Sequence, residues 1–418
     1  MRVPAAPIAP LGDVVSRPAA GETLSPAPAL SGRVASVDAY RGFVMFLLWA
    51  EALRSCGVAE ALPESAFWAF FCHHQSHVPW VGASLHDLIQ PSFSMLVGTA
   101  LAFSVAGRSA AGQSRGRLIG HAAWRALVLV LLGIWLRSVG RPQTYFTFED
   151  TLSQIGLGYV LLVLLALRPR RDQWAALAVI LVGYWAAFAL YRRPPAEFDY
   201  AAYGVPADWG HHLRGFASHW DKNSNLAWRF DVWFLNLFPR EQEFAFNGGG
   251  YATLSFIPTL GTMILGLLAG GVLKSERPPE GRLRWLVAAG LIGLASGWLL
   301  GALGICPVVK RIWTPSFTLW SGGWCFLLVV AFYEVIDVLG HRRCAFPLIV
   351  IGSNSIAAYL MSWLFMHFVE TSLVTHLGEG FFRAFGDAYA PFVQGVLALG
   401  VVWSMLYWMY KRRIFLRI

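Results

Sequence analysis

The residues best suited to do chemistry form one short stretch. His77-Val-Pro-Trp80-Val-Gly82 is followed by Asp87-Leu88-Ile-Gln-Pro91-Ser-Phe93, just ahead of a long apolar run. An imidazole takes and gives protons near neutral pH, and it can also attack a carbonyl. Asp87, ten positions on, either caps the helix it opens or holds the imidazole in one tautomer, and the two roles are compatible. The plain alternative is an exposed loop histidine. Against that stands the company it keeps: a polar cluster at the edge of lipid-soluble sequence costs free energy and marks a candidate functional site. His73, His74 and His86 lie close by, but their spacing matches no standard zinc pattern, so no metal is expected.

Other polar residues interrupt apolar sequence. In Ser36-Val-Asp38-Ala-Tyr40-Arg41-Gly42, Asp38 and Arg41 share a helix face three residues apart. They read either as an interfacial ion pair or as a grip on phosphate, which suits a guanidinium. Glu51, ten residues beyond Arg41, falls about 15 Å further along the same helix, toward His77. Asn247-Gly-Gly-Gly250 allows close backbone approach. Lys310-Arg311-Ile-Trp313-Thr314 and Gly352-Ser353-Asn354-Ser355 are polar at the edge of or within apolar runs, where such groups pack helix against helix or line a ligand site. Arg125 also sits inside an apolar run, with Glu149 or Asp150 as its guessed partner.

The elements that must position these groups are helices in a bilayer. The 418 residues are 56% hydrophobic and only 14% charged, well under the roughly 25% charged content of soluble domains. About ten runs reach spanning length, near 37–55, 87–107, 118–137, 150–167, 173–190, 251–273, 285–303, 316–338, 347–367 and 391–410. The net charge of +9 is spread in Lys/Arg clusters between alternate runs, a positive-inside pattern and not a nucleic-acid-binding face. It places both termini in the cytoplasm. Residues 1–32, Pro/Ala-rich and without an apolar core, read as a disordered cytoplasmic tail. Residues 33–418 then form one all-α polytopic membrane domain, with 191–250, rich in Trp, Asp, Asn and His, as a folded external cap. Cys56, Cys72 and Cys306 fall on the external side, where one disulfide among them fits without the pairing being fixed.

At this point the chain resembles a known family, the transmembrane acetyltransferases related to heparan-α-glucosaminide N-acetyltransferase, bacterial members included. The matching pieces are Ser36-Val-Asp38-Ala-Tyr-Arg41-Gly42, His77-x-x-Trp80-x-Gly82 with Asp87-Leu88-x-x-Pro91-x-Phe93, Ile312-Trp313-Thr314-x-Ser316-Phe317 and Gly352-x-Asn354-Ser355-Ile356. Asn225-Leu226-Ala227 with Asp231 is similar to the family's external loop. Where the family has an asparagine near the outer end of the first span, this chain reads Ala50-Glu51-Ala52.

The resemblance implies transfer of an acetyl group from cytosolic acetyl-CoA to a sugar or glycan across the membrane, in a bacterial inner membrane. His77 would be general base or acyl-accepting nucleophile, with Asp87 and Glu51 beside it. Arg41, Asp38, Trp313, Ser353 and Asn354 are the expected donor contacts; Trp80, Asn247 and Lys310 are the expected acceptor contacts. The partners implied are the acceptor and the lipid bilayer. A homodimer fits the general prevalence of homo-oligomers. The second reading is a transporter or flippase for a sugar or lipid-linked sugar, which the same spans and buried polar groups suit.

Overall fold

A computed structural model describes residues 34–416 apart from residue 196; the proposed N-terminal tail lies outside the described residues. In chain order the helices are α1 (Ala35–Trp49), α2 (Ser55–Ala61), α3 (Ala66–His74), α4 (Ile89–Ala110), α5 (Arg115–Ser138), α6 (Thr151–Ala166), α7 (Arg170–Ala189), α8 (Leu226–Phe234), α9 (Phe256–Leu273), α10 (Pro279–Ala302), α11 (Pro315–Tyr333), α12 (Phe346–Ser353), α13 (Ser355–Leu364), α14 (Met366–Leu377), α15 (Glu379–Phe382) and α16 (Ala390–Lys411). The described residues contain no strand beyond an isolated antiparallel bridge between Val81 and Val309.

Seven helical segments are long and apolar enough to cross a membrane, and nine if each of two bent pairs counts as one span. This is fewer than the ten apolar runs, for physical reasons that are visible. α6 has only 16 residues, and α12 and α13 meet at an 81° bend. A straight span needs about 20 residues, which neither half of that pair supplies.

α9 is the central post. Nearly every one of its residues is buried, and α4, α6, α7 and α11 pack around it. α1 lies against α12 at unusually close range. A Cβ at Gly42 would fall on the Leu348 carbonyl oxygen, and one at Gly352 on that of Asp38. Such contact between helix backbones is open only to the smallest side chains, and it is how helices associate where no hydrophobic driving force separates them from lipid. Leu127, Leu131, Val179, Val182, Ile292 and Trp298 point outward from α5, α7 and α10, as lipid-facing residues should.

The segment 191–250 folds into short turns around α8. Trp220 and Ala227 join Trp80, Tyr184, Phe188 and Val309 in one apolar cluster, so this segment and the His77 loop share a core.

Candidate active site

Two loops far apart in sequence build the site. The first, after α3, carries His77; the second, between α10 and α11, carries Lys310. The Val81–Val309 bridge and the bond from Gly82 N–H to the Val308 carbonyl (2.9 Å) zip them together. The second loop is shaped by its own side chains. Thr314 Oγ1 accepts from the backbone N–H of Val309 (3.0 Å) and donates to the Pro307 carbonyl (2.7 Å), while also capping α11 by accepting from Phe317 N–H. Trp313 is held at φ +49°, completing the tight turn that presents Lys310.

Asp87 is 1% exposed and uses both oxygens. Oδ1 accepts from His77 Nδ1 at 2.7 Å and pairs with Lys310 Nζ at 3.2 Å. Oδ2 accepts from the backbone N–H of Ser84 (2.9 Å) and of Val78 (3.3 Å), and from the Ser84 hydroxyl. It is therefore not the cap of α4, whose N-cap is Leu88 without a side-chain bond; of the two sequence readings, holding the imidazole is the one realised. With Nδ1–H committed to Asp87, the basic lone pair of His77 sits on Nε2. Burial lowers the pKa of His77, Lys310 and His86 push it the same way, and Asp87 pulls against them, so the net shift is downward.

A second pair abuts the first. Glu51 Oε1 meets His86 Nε2 at 2.8 Å, and the His86 ring lies 4.5 Å from that of His77. Both histidines face a cavity of about 730 Å³, lined also by Glu51, Asn247, Tyr251, Lys310, Arg137 and Trp363. His77, with its side chain 35% exposed, thus lines a cavity that is partly open to solvent. Toward the other end of the bundle the interior is filled: Tyr40, two turns before Leu48 of the cavity wall, donates to Ser92 Oγ at 2.8 Å, and Ser92 in turn meets Cys325 Sγ at 3.5 Å.

Cys56 and Cys72 form a disulfide that ties α2 to α3 immediately before the His77 loop. Cys306 is a free, buried thiol.

No family model matches the chain. Among curated proteins, the human heparan-α-glucosaminide N-acetyltransferase is 24% identical over 370 residues, an alignment covering 79% of this chain and 53% of that protein. The mouse protein of the same name is 22% identical over 368 residues, with the same coverage of each. The chain is a distant relative of heparan-α-glucosaminide N-acetyltransferase. It spans about half the length of the curated relatives it matches.

Not every site residue expected from the sequence lines the cavity. His77, Glu51, Asn247 and Lys310 do. Trp80 does not: it is fully buried, and its Nε1–H donates to the Trp220 carbonyl at 3.1 Å, which pins the 191–250 segment to the loop. Gly250, at φ +77°, lies against that indole, where a Cβ would sit 2.6 Å from it. Trp313 is buried and donates to Thr262 Oγ1 at 3.1 Å. Ser353 bonds to the Val350 carbonyl within its own helix. Asn354, at the α12–α13 break, donates to the Ile414 carbonyl and accepts from Leu416 N–H, so it fastens the last described residues. Asp38 and Arg41 pair at 3.0 Å near the start of α1, the opposite end of that helix from Glu51. Arg125 meets the Tyr159 hydroxyl (3.1 Å) and not Glu149 or Asp150. Those two carboxyls line the cavity with Arg137, which stacks on Trp363.

Sequence reasoning missed His86, Tyr251, Arg137, Glu149, Glu370 and Tyr359 as wall residues. For His86 a signal existed: an acidic residue near the outer end of the first span, Glu51, needs a polar partner at similar depth.

Proposed function

We propose that the chain is a transmembrane acetyltransferase that moves the acetyl group of acetyl-CoA to an amine or hydroxyl of a sugar or glycan bound in the 730 Å³ cavity. The observation that carries this reading is the Asp87-held imidazole of His77, with its basic nitrogen uncommitted, on the wall of a cavity large enough for a sugar. His77 acts as general base. The acceptor oxygen or nitrogen attacks the thioester carbonyl, and its proton passes to His77 Nε2. The carbon–sulfur bond then breaks, and the proton moves on to the departing thiolate, giving free coenzyme A and the acetylated acceptor. Tyr251 and Asn247 are the donors assigned to the developing oxyanion; burial raises the Tyr251 pKa and keeps its hydroxyl a donor.

The disulfide supports an orientation in which the His77 end faces an oxidising compartment, since disulfides persist there and not among reducing thiols. The Lys/Arg clusters then face the cytoplasm, the side of the donor. Coenzyme A is multiply charged and does not cross hydrocarbon, so the thioester end must reach His77 through the bundle. The reading therefore includes a parting of the Tyr40–Ser92–Cys325 layer during the cycle.

The test is acetyl transfer from radiolabelled acetyl-CoA by the purified protein to amino-sugar and neutral-sugar acceptors. Labelled acceptor from the natural chain, and none from His77→Ala at equal expression, supports the assignment. Sugar transport into vesicles without acetyl-CoA consumption would favour the transporter reading instead.

A further inference from the structure

Lys310 is the member of the site whose place is least explained by binding an acceptor. Its side chain is 6% exposed, with Nζ 3.2 Å from Asp87 Oδ1 and 3.1 Å from His77 Nδ1. A buried ammonium needs an anion beside it, and Asp87 is that anion. The same Asp87 oxygen accepts from His77 Nδ1 at 2.7 Å, so one oxygen holds an imidazole and an ammonium side by side.

Resting on the reading above, we propose that Lys310 is a positioning residue that acts through His77: it fixes the Asp87 oxygen, and its charge beside the ring keeps the imidazole neutral and shortens the life of the imidazolium formed in the reaction.

The groups facing His77 come from four elements. Asp87 and His86 lie on the turn before α4, and Glu51 reaches the ring's vicinity through His86. Tyr251, 6.5 Å away between ring centres, comes from the loop before α9, and Arg311 lies over the Tyr251 ring while donating to the Val78 carbonyl. Asp87 alone among the direct contacts favours a charged ring. Lys310 is the nearest cation, and its pairing with Asp87 holds the charge in place beside the ring. Its own pKa is lowered by burial, with Asp87 acting to hold the charge. In the acetyl-transfer cycle the proton accepted at Nε2 must leave again for the thiolate, and a neighbouring positive charge speeds that departure.

The experiment reads the His77 titration directly. Carbethoxylation of His77 by diethyl pyrocarbonate, which needs a neutral ring but no acetyl transfer, is followed against pH by peptide mass spectrometry on the full-length purified protein. The natural chain should titrate below pH 6.5. Lys310→Met should move the midpoint up by about one pH unit or more, and Lys310→Arg should leave it near the original; the acid limb of kcat/KM should follow. Lys310→Gln repeats the measurement should the Met variant fail to fold. A natural midpoint at or above 6.5, or uncharged variants whose midpoint stays put, overturns the proposal. A midpoint that moves as expected in a protein that never transfers acetyl would sink the functional reading and leave the Lys310–His77 coupling standing.

Discussion

At the scale of single residues, the proposed chemistry turns on which nitrogen of His77 is basic. Asp87 fixes that by accepting Nδ1–H, and four further contacts hold Asp87 itself. Removing the imidazole in His77→Ala should lower acetyl transfer by about 10²- to 10⁴-fold, the usual worth of a general acid–base group, with the thermal midpoint nearly unchanged because the ring is partly exposed to the cavity. Asp87→Asn should cost nearly as much. An amide can offer a donor where the carboxylate accepted, and the tautomer is no longer fixed. Initial rates of labelled acetyl transfer measure both. The pH dependence has a definite sign. His77 works as a base only when neutral, and burial, Lys310 and His86 lower its pKa; activity should therefore persist as pH falls through 6.5 and be lost only below it. An acid limb of kcat/KM above 6.5 would contradict the environment described.

At the scale of elements, the site depends on two kinds of fastening. The first is the contact between α1 and α12, where Gly42 and Gly352 leave no room for a side chain. Gly42→Leu should separate the two helices and sharply reduce the yield of folded protein in detergent, measurable by size-exclusion chromatography. A well-folded, fully active Gly42→Leu would show that the close approach is dispensable. The second is the Cys56–Cys72 disulfide, which spans 16 residues just before the His77 loop. A loop of that size is worth about 3 kcal/mol in the chain-entropy account. Cys56→Ser should lower the melting temperature and weaken catalysis through looser placement of His77, so kcat/KM falls while the acid limb keeps its position.

At the scale of the whole molecule, sidedness is the property most open to test. The basic clusters and the disulfide argue for the same orientation from independent physics. Cys344 is exposed beside Arg342 and Arg343, so a membrane-impermeant maleimide should label it only after cells are opened. Labelling in intact cells would reverse the assignment. Asp231 ties the 191–250 segment to the bundle by accepting from Thr253 N–H at 2.9 Å, and burial pushes its pKa up to about 7. The folded protein thus keeps a proton that the unfolded chain releases near pH 4. Stability should decline as pH rises from about 4 to 7 and level off above, a slope that Asp231→Asn should remove in thermal melts.

Much of this was legible in the chain itself. Apolar runs of spanning length, the Lys/Arg asymmetry and the His77–Asp87 spacing follow from local composition, because lipid leaves a helix few alternatives and a carboxylate close in sequence to an imidazole needs little folding to reach it. The rest required the tertiary structure. Lys310 joins His77 from 233 positions away because two loops bridge. Glu51 finds His86 because α1 and α4 pack side by side. Trp80, Trp313 and Asn354 tie distant segments together, and Ser353 bonds within its own helix, all away from the cavity wall. Residue type and neighbours along the chain decide what a side chain can do; which partners it meets across the bundle depends on packing between distant segments, and no local pattern encodes that.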